Sequence, residues 1–197
     1  NNLAVLYWSQ GRFKEAEGTH KKALIVREKT LGPSHPKVAQ SLNNLAEVYR
    51  LLGQFANARP LYERAVTILE KTHGAEHPRV ASVLNNAALL ARAEGRYEEA
   101  EALSMRAFRI DSKVLGAGHP ATSTDLNNLA SLYQARGRFD EAELMLKRAL
   151  ADREKVLGKE HPDVAQSLNN LALFHFQRSQ FNIAEAGHKR ALAVWEK

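Results

Sequence analysis

The stretch "LNNLAEVY" at residues 42–49 returns almost unchanged as "LNNLASLY" at residues 126–133. In both copies two adjacent amides interrupt apolar residues spaced three and four apart, which predicts an α-helix with one buried face. A shift of 42 residues superimposes the chain on itself without insertion, so that Asn1, Asn43, Asn85, Asn127 and Asn169 align. The chain is therefore predicted to be an array of repeats.

Each repeat is predicted to hold two antiparallel helices. In the second repeat, helix A runs to Leu52 and helix B resumes the apolar pattern at Phe55, after a break too short for any other arrangement. We expect Pro60 not to disrupt helix B, because regular hydrogen bonding would begin near Asn57. Pro60 would then lie in the first turn, where backbone amides have no partner within the helix. One pair cannot bury its apolar face alone, so ten helices are expected to stack as neighbouring pairs.

A Gly-x-x-His-Pro turn closes the repeats at residues 32–36, 74–78, 116–120 and 158–162. Glycine is favoured just after the C-terminus of one helix, where the backbone often adopts a left-handed conformation. Proline is favoured in the first turn of the next helix. The histidines of this turn are His35, His77, His119 and His161. We expect them to cap turns rather than bind metal, because helices about 8–10 Å apart keep their rings from converging on one ion.

Composition and motifs argue against several function classes. The chain is 44 % apolar and 25 % charged, which is typical of a globular protein, and it has no apolar run of the roughly 18 residues that a membrane span needs. It has no cysteine, and no phosphate loop or Ser/His/Asp set can be assembled. We therefore predict that the chain is not an enzyme and binds no cofactor and no metal.

The repeated pattern resembles the tetratricopeptide repeat, carried by Leu42, Leu45, Ala46 and Tyr49, then by Gly53, Phe55, Ala58 and Ala65. The 42-residue period, the "LNNLA" core and the stretches "ALIVREKTLGPSHPKVA" and "ADREKVLGKEHPDVA" are similar to the kinesin light chain type. This resemblance implies an all-α fold, a right-handed superhelical α-solenoid of stacked antiparallel helix pairs. We expect a single array over residues 1–197, in units 1–35, 36–77, 78–119, 120–161 and 162–197, taken from a longer protein.

The same resemblance implies a concave groove, lined mainly by the A helices, that binds an extended or short helical peptide. The second amide of each "NN" pair would contact the peptide, because an amide can both donate to and accept from a peptide backbone. The implied groove arginines are Arg27 and Arg153, although Leu69 and Asp111 take their place in the intervening repeats. The predicted peptide-binding residues are Asn2, Asn44, Asn86, Asn128, Asn170, Arg27, Arg50, Arg92, Arg153, Gln40, Glu47, Leu89 and Ser131.

The predicted function is a protein-interaction scaffold, located in the cytoplasm, whose partner peptide is acidic with an aromatic anchor. The net charge of +6 leaves nucleic acid open as a partner, but Arg50 and Arg92 are the only basic residues that we expect on the A helices, which favours a peptide. Self-association through exposed end faces is a further alternative. Trp8 and Phe176 are candidate apolar anchors, or candidate parts of such end faces.

Overall fold

A computed structural model of the chain describes Tyr7 and residues 10–196, apart from the side chain of Phe13. Within these residues nine helices occur and no strand. The helices are α1 (Phe13–Leu31), α2 (Pro36–Leu51), α3 (Phe55–His73), α4 (Pro78–Ala93), α5 (Tyr97–Val114), α6 (Pro120–Ala135), α7 (Phe139–Leu157), α8 (Pro162–Gln177) and α9 (Phe181–Trp195). In the described part of the chain, no helix is long and apolar enough to cross a membrane.

The chain forms two compact units, residues 1–107 and 108–197, with the boundary inside α5. In the first unit α2 packs against α1, α3 and α4, and α3 also packs against α4. In the second unit α7 packs against α6 and α8, and α8 packs against α9. The three-residue turn between α2 and α3 makes this pair antiparallel. The predicted all-α architecture of antiparallel helix pairs is confirmed.

The Gly-x-x-His-Pro turns end one helix and start the next as predicted. Gly74 has a φ of 93°. Glycine adopts such positive φ values readily because it has no Cβ. His77 Nδ1 accepts a hydrogen bond from the backbone N–H of Arg79 at 3.1 Å, and the other three turn histidines cap α2, α6 and α8 in the same way. Over the described residues, no group of three His, Asp or Glu side chains is placed to hold a metal ion.

Pro60 lies deeper in its helix than the sequence led us to expect. Regular helix begins at Phe55 rather than near Asn57, so Pro60 lies inside α3 and past its first turn. The expectation of a later start is therefore wrong. The amide that proline lacks would have bonded to the carbonyl of Ala56, and because Ala56 is exposed, water can reach this carbonyl instead.

Among the described residues, Ser179 is the non-glycine residue with a positive φ, which is 58°. The equivalent residues Gly53, Gly95 and Gly137 have φ values of 70°, 75° and 74°. A left-handed conformation is unfavourable for serine, whereas glycine loses more chain entropy on folding. We expect Ser179→Gly to raise the free energy of unfolding by about 0.5–1 kcal/mol, measured by urea denaturation of the whole chain. Ser179→Ala keeps the strain and should give no gain, so equal stability of the two variants would contradict this assignment.

Candidate binding cleft

The first unit contains a cleft of about 420 Å³ between α2 and α4. Each of these A helices presents residues of its first two or three turns to the cleft, and Leu69 from α3 completes the wall. The lining residues are Pro36, Lys37, Gln40, Asn43, Asn44, Leu69, Arg79, Ser82 and Val83. The cleft therefore combines neutral hydrogen-bonding groups with two cations and a small apolar surface.

The paired asparagines form bridges between successive A helices. Asn86 Nδ2 donates to Asn43 Oδ1 at 2.9 Å in the first unit, and Asn170 Nδ2 donates to Asn127 Oδ1 at 3.2 Å in the second. Each bridge thus joins the first asparagine of one pair to the second asparagine of the next. Asn86 and Asn170, which are predicted to contact a peptide, therefore each use one side-chain N–H within the chain.

The remaining groups on these amides are partly used within the chain. Asn170 Oδ1 accepts from Gln166 Nε2 at 3.0 Å, one helical turn earlier. Asn44 lines the cleft, and its Oδ1 lies 3.5 Å from Asn43 Nδ2, at the outer limit of a hydrogen bond. Gln40 is exposed and also lines the cleft. Asn44 and Gln40 are therefore the predicted amides best placed to meet a ligand in the first unit.

Two cations that we did not expect on the A helices lie at the cleft. Because α2 begins at Pro36 and α4 at Pro78, Lys37 and Arg79 belong to the first turns of these helices, and both line the cleft. The expectation that the A helices carry only two basic residues is therefore wrong. The sequence does show a basic residue directly after the proline of the Gly-x-x-His-Pro turn in these two repeats. The sequence pattern alone places that residue in the turn rather than in the helix.

The predicted site residues Glu47 and Arg50 bind each other. Arg50 Nε donates to Glu47 Oε2 at 2.7 Å, and the hydroxyl of the buried Tyr62 donates to the same oxygen at 2.9 Å. The hydrogen bond to Glu47 raises the pKa of Arg50, and burial raises the pKa of Tyr62. The Glu47–Arg50 pair therefore adds little net charge for a ligand, whereas Lys37 and Arg79 do add charge.

Arg27 and Arg153 each link a B helix to the A helix that follows it. Arg27 links α1 to α2, and Arg153 links α7 to α8. Arg27 Nη1 donates to Ser41 Oγ at 2.7 Å and to the carbonyl of Lys37 at 2.9 Å. Arg153, three repeats further along the chain, makes the same two contacts. Its Nη1 donates to Ser167 Oγ at 2.9 Å and to the carbonyl of Asp163 at 2.8 Å. Burial lowers the pKa of Arg153. Both arginines support the A helices, and a direct part in ligand binding stays a prediction.

The other predicted residues are distributed over both units. Leu89 and Arg92 are half-buried on α4, and Asn128 and Ser131 are half-buried on α6. Asn2 and Trp8 lie outside the described residues. Sequence reasoning did not propose Lys37, Arg79 or Val83 for the site.

Comparison with known proteins agrees with this repeat architecture. The sequence profile of the tetratricopeptide repeat family matches residues 1–71, 43–111, 79–155 and 127–197, which together span the chain. No curated protein sequence matches. Similar solved structures include one from Podosopora anserina with nearly identical TPR-like repeats, assigned to the kinesin light chains, at 30 % identity and a TM-score of 0.81, covering 98 % of this chain and 92 % of that one.

BtubC (BKLC) from P. vanneervenii is 29 % identical, with a TM-score of 0.78 and coverage of 98 % of this chain and 77 % of that one. A Rap protein complexed with Competence and Sporulation Factor shares the fold at 18 % identity and a TM-score of 0.74, with coverage of 98 % and 53 %. The chain therefore belongs to the tetratricopeptide repeat family, with repeats similar to those of a kinesin light chain.

Proposed function

We propose that this chain is a non-enzymatic scaffold that holds a partner peptide in the cleft between α2 and α4. Repeat proteins of this kind generally act through surfaces built by neighbouring repeats, and tetratricopeptide repeats are typically protein-interaction modules. The observation that carries the proposal is the lining of the cleft, in which amide groups, cations and apolar side chains lie side by side. A cytoplasmic location stays a prediction.

The neutral polar residues of the cleft suit a peptide backbone. Gln40, Asn43, Asn44 and Ser82 offer both donors and acceptors, which can pair with the N–H and C=O groups of an extended chain. Each such bond contributes only about 0.5–1.5 kcal/mol net, so affinity needs several of them at once. Backbone recognition of this kind is independent of sequence and requires a further source of specificity.

The side chains around the amides favour an acidic peptide with an apolar anchor. Leu69 and Val83 form the apolar part of the lining, and Lys37 and Arg79 supply positive charge. Among the described residues that line the cleft there is no carboxylate to compete for these cations. A peptide with an aromatic or aliphatic side chain next to Asp or Glu would match both features.

The test is a peptide-library selection with the whole chain at low and high salt, followed by titration of the selected peptides. We expect Gln40→Ala combined with Asn44→Ala to weaken binding about tenfold, because two hydrogen bonds are lost while the Asn43–Asn86 bridge stays intact. Asn57→Ala combined with Asn182→Ala is the matched control, since both asparagines are exposed on B helices. Unchanged affinity in the cleft variant, with an unchanged fold, would exclude the amide mechanism.

Salt separates a peptide from the rival nucleic-acid ligand. Two cations at the cleft predict a modest fall in peptide affinity as salt rises. Nucleic acid bound through many phosphates would lose affinity steeply over the same range. A steep fall, together with selection of RNA or DNA by the chain, would favour the rival.

Self-association is a second candidate, supported by the exposed surface of α9. Trp195 is 50 % exposed, whereas Leu69 at the same repeat position is 4 % exposed. Phe181 and Leu192 are also exposed on this helix. Apolar side chains exposed together can bury each other when two copies meet. Sedimentation of the whole chain across a range of concentrations distinguishes a monomer from an assembly.

A further inference from the structure

A departure from the repeat pattern lies beside the cleft, at the end of α3. His73 is the last residue of α3 and follows Leu69, a cleft residue, by one helical turn. The same position in other repeats holds Leu31, Leu115 and Leu157. This repeat therefore places a titratable ring where the others have an apolar side chain.

The ring of His73 holds the side chain of Arg79, one of the two cations of the cleft. Arg79 Nη1 lies 3.3 Å from His73 Nε2. Arginine can only donate hydrogen bonds, so His73 Nε2 is the accepting nitrogen of a neutral ring. This contact occupies a donor of Arg79 that a ligand carboxylate would otherwise use. Lys37 is the equivalent cation on α2, and the residue that corresponds to His73 in its repeat is Leu31, which has no acceptor.

The second histidine of this region, His77, has a separate structural part. Its ring centroid lies 4.6 Å from that of His73, and its Nδ1 caps α4 by accepting from the backbone N–H of Arg79. Partial burial lowers the pKa of His77, and the neighbouring His73 and Arg79 lower it further. A proton is therefore taken up less readily by the capping ring, so the start of α4 stays in place.

The other charged groups of this region lie on α2, on α3 and in the turn before α4. Lys37 on α2 lines the cleft, and Lys71 on α3 is exposed. Glu70 on α3 is paired with Arg106 of α5, and Glu76 is exposed in the turn. The described lining residues of the cleft include no carboxylate that would neutralise an added positive charge.

We propose that His73 regulates the cleft by holding Arg79 at neutral pH and releasing it in acid. When the ring takes up a proton, which histidine ordinarily does near pH 6.5, Nε2 becomes a donor and can no longer accept from Arg79. The guanidinium is then available to a ligand carboxylate, and the imidazolium adds a positive charge beside the cleft. The inference rests on the proposed binding of an acidic peptide, whose Asp and Glu side chains stay ionised at pH 5.5.

The test is titration of the whole chain with a fluorescent peptide in which one tryptophan is flanked by aspartates. We expect its affinity to rise about fivefold between pH 8 and pH 5.5, because a charge-assisted hydrogen bond is gained. His73→Gln keeps an oxygen that can accept from Arg79 at any pH, so its affinity should change by less than about twofold. His188→Gln is the control, since it removes an exposed histidine of the second unit and should keep the pH dependence of the parent. A peptide with asparagine in place of aspartate should show no rise.

A second measurement needs no ligand and separates this inference from the proposed function. In an NMR titration of the chain alone, the ring signals of His73 and the side-chain signals of Arg79 should shift with one shared midpoint. The Arg79 signals of His73→Gln should not follow that midpoint. Arg79 signals that ignore the titration of His73 in the parent would overturn the inference, as would equal affinity for the aspartate peptide at both pH values, which leaves the proposed function intact. Absence of peptide binding at either pH would contradict the proposed function, and the NMR titration would then decide this inference alone.

Discussion

Replacing Arg153 with leucine is expected to lower the free energy of unfolding by about 2 kcal/mol, because it leaves the buried hydroxyl of Ser167 without its donor. Arg153 is 6 % exposed, and its Nη1 donates to both the hydroxyl of Ser167 and the carbonyl of Asp163. Leucine fills part of the volume but offers no donor. Urea denaturation of the whole chain, followed by circular dichroism, measures the loss.

The chain itself supplies the compensating change. Leu69 and Val83 occupy the positions of Arg153 and Ser167 in an earlier repeat, and both are buried. Adding Ser167→Val to Arg153→Leu removes the orphaned hydroxyl and recreates this apolar pair. We expect the double variant to recover at least half of the lost stability, since replacing both hydrogen-bonding partners with apolar groups is far less costly than removing one.

Arg27 is the matched control for Arg153. It makes equivalent contacts to Ser41 and to the carbonyl of Lys37, but its side chain is only half-buried. Water can replace its hydrogen bonds, so Arg27→Leu should lower stability by about 1 kcal/mol or less. Equal losses at the two arginines, or no recovery with Ser167→Val, would show that burial of the Arg153 contacts is not what stabilises this pair.

Features set by local geometry could be predicted from the sequence. The cap at His77 and the positive φ of Gly74 follow from the spacing of glycine, histidine and proline in one turn. Helix pairing follows from the apolar period and the short break before Phe55. These features depend on only a few adjacent residues, so the sequence pattern suffices.

Features set by packing between helices could not be predicted in the same way. The Asn43–Asn86 bridge depends on the offset between α2 and α4, which the 42-residue period does not specify. Arg153 contacts Ser167 on the next helix, which the sequence pattern does not specify, because a long side chain can reach either neighbour from one position.

Replacing Asp111 with asparagine is expected to stabilise the chain at pH 8, by about 1–3 kcal/mol, the cost of leaving a buried polar atom unsatisfied. Asp111 on α5 and Asp125 on α6 are 3 % and 0 % exposed, and the two carboxyl groups are hydrogen-bonded to each other. Asp111 Oδ1 is buried and has no hydrogen-bond partner within the described residues. Two carboxylates in contact cannot both ionise without repulsion, whereas the amide of asparagine can donate to Asp125 at any pH.

The pH dependence of this gain has a definite sign. Burial raises the pKa of Asp111, and the nearby His119 and the hydrogen bond from Asp125 oppose this only in part. Because the folded pKa lies above the unfolded one, the stability linked to the proton is fully present below the ordinary aspartate pKa of about 3.9. It is lost as pH rises through the raised folded pKa. The advantage of Asp111→Asn over the parent should therefore be smallest near pH 4 and grow toward pH 8.

Comparing variant with parent at each pH isolates this effect from the other carboxyl groups of the chain. Arginine partners lower the pKa values of Glu94 and Glu141. The stability that these two carboxylates contribute to the fold is lost as pH falls, but the loss is equal in variant and parent. Asp140→Asn is the control, because Asp140 is exposed on α7 and removing its charge relieves no buried contact. If the Asp111→Asn advantage were constant between pH 4 and pH 8, or fell as pH rose, the Asp111–Asp125 contact would not hold a shared proton in the folded chain.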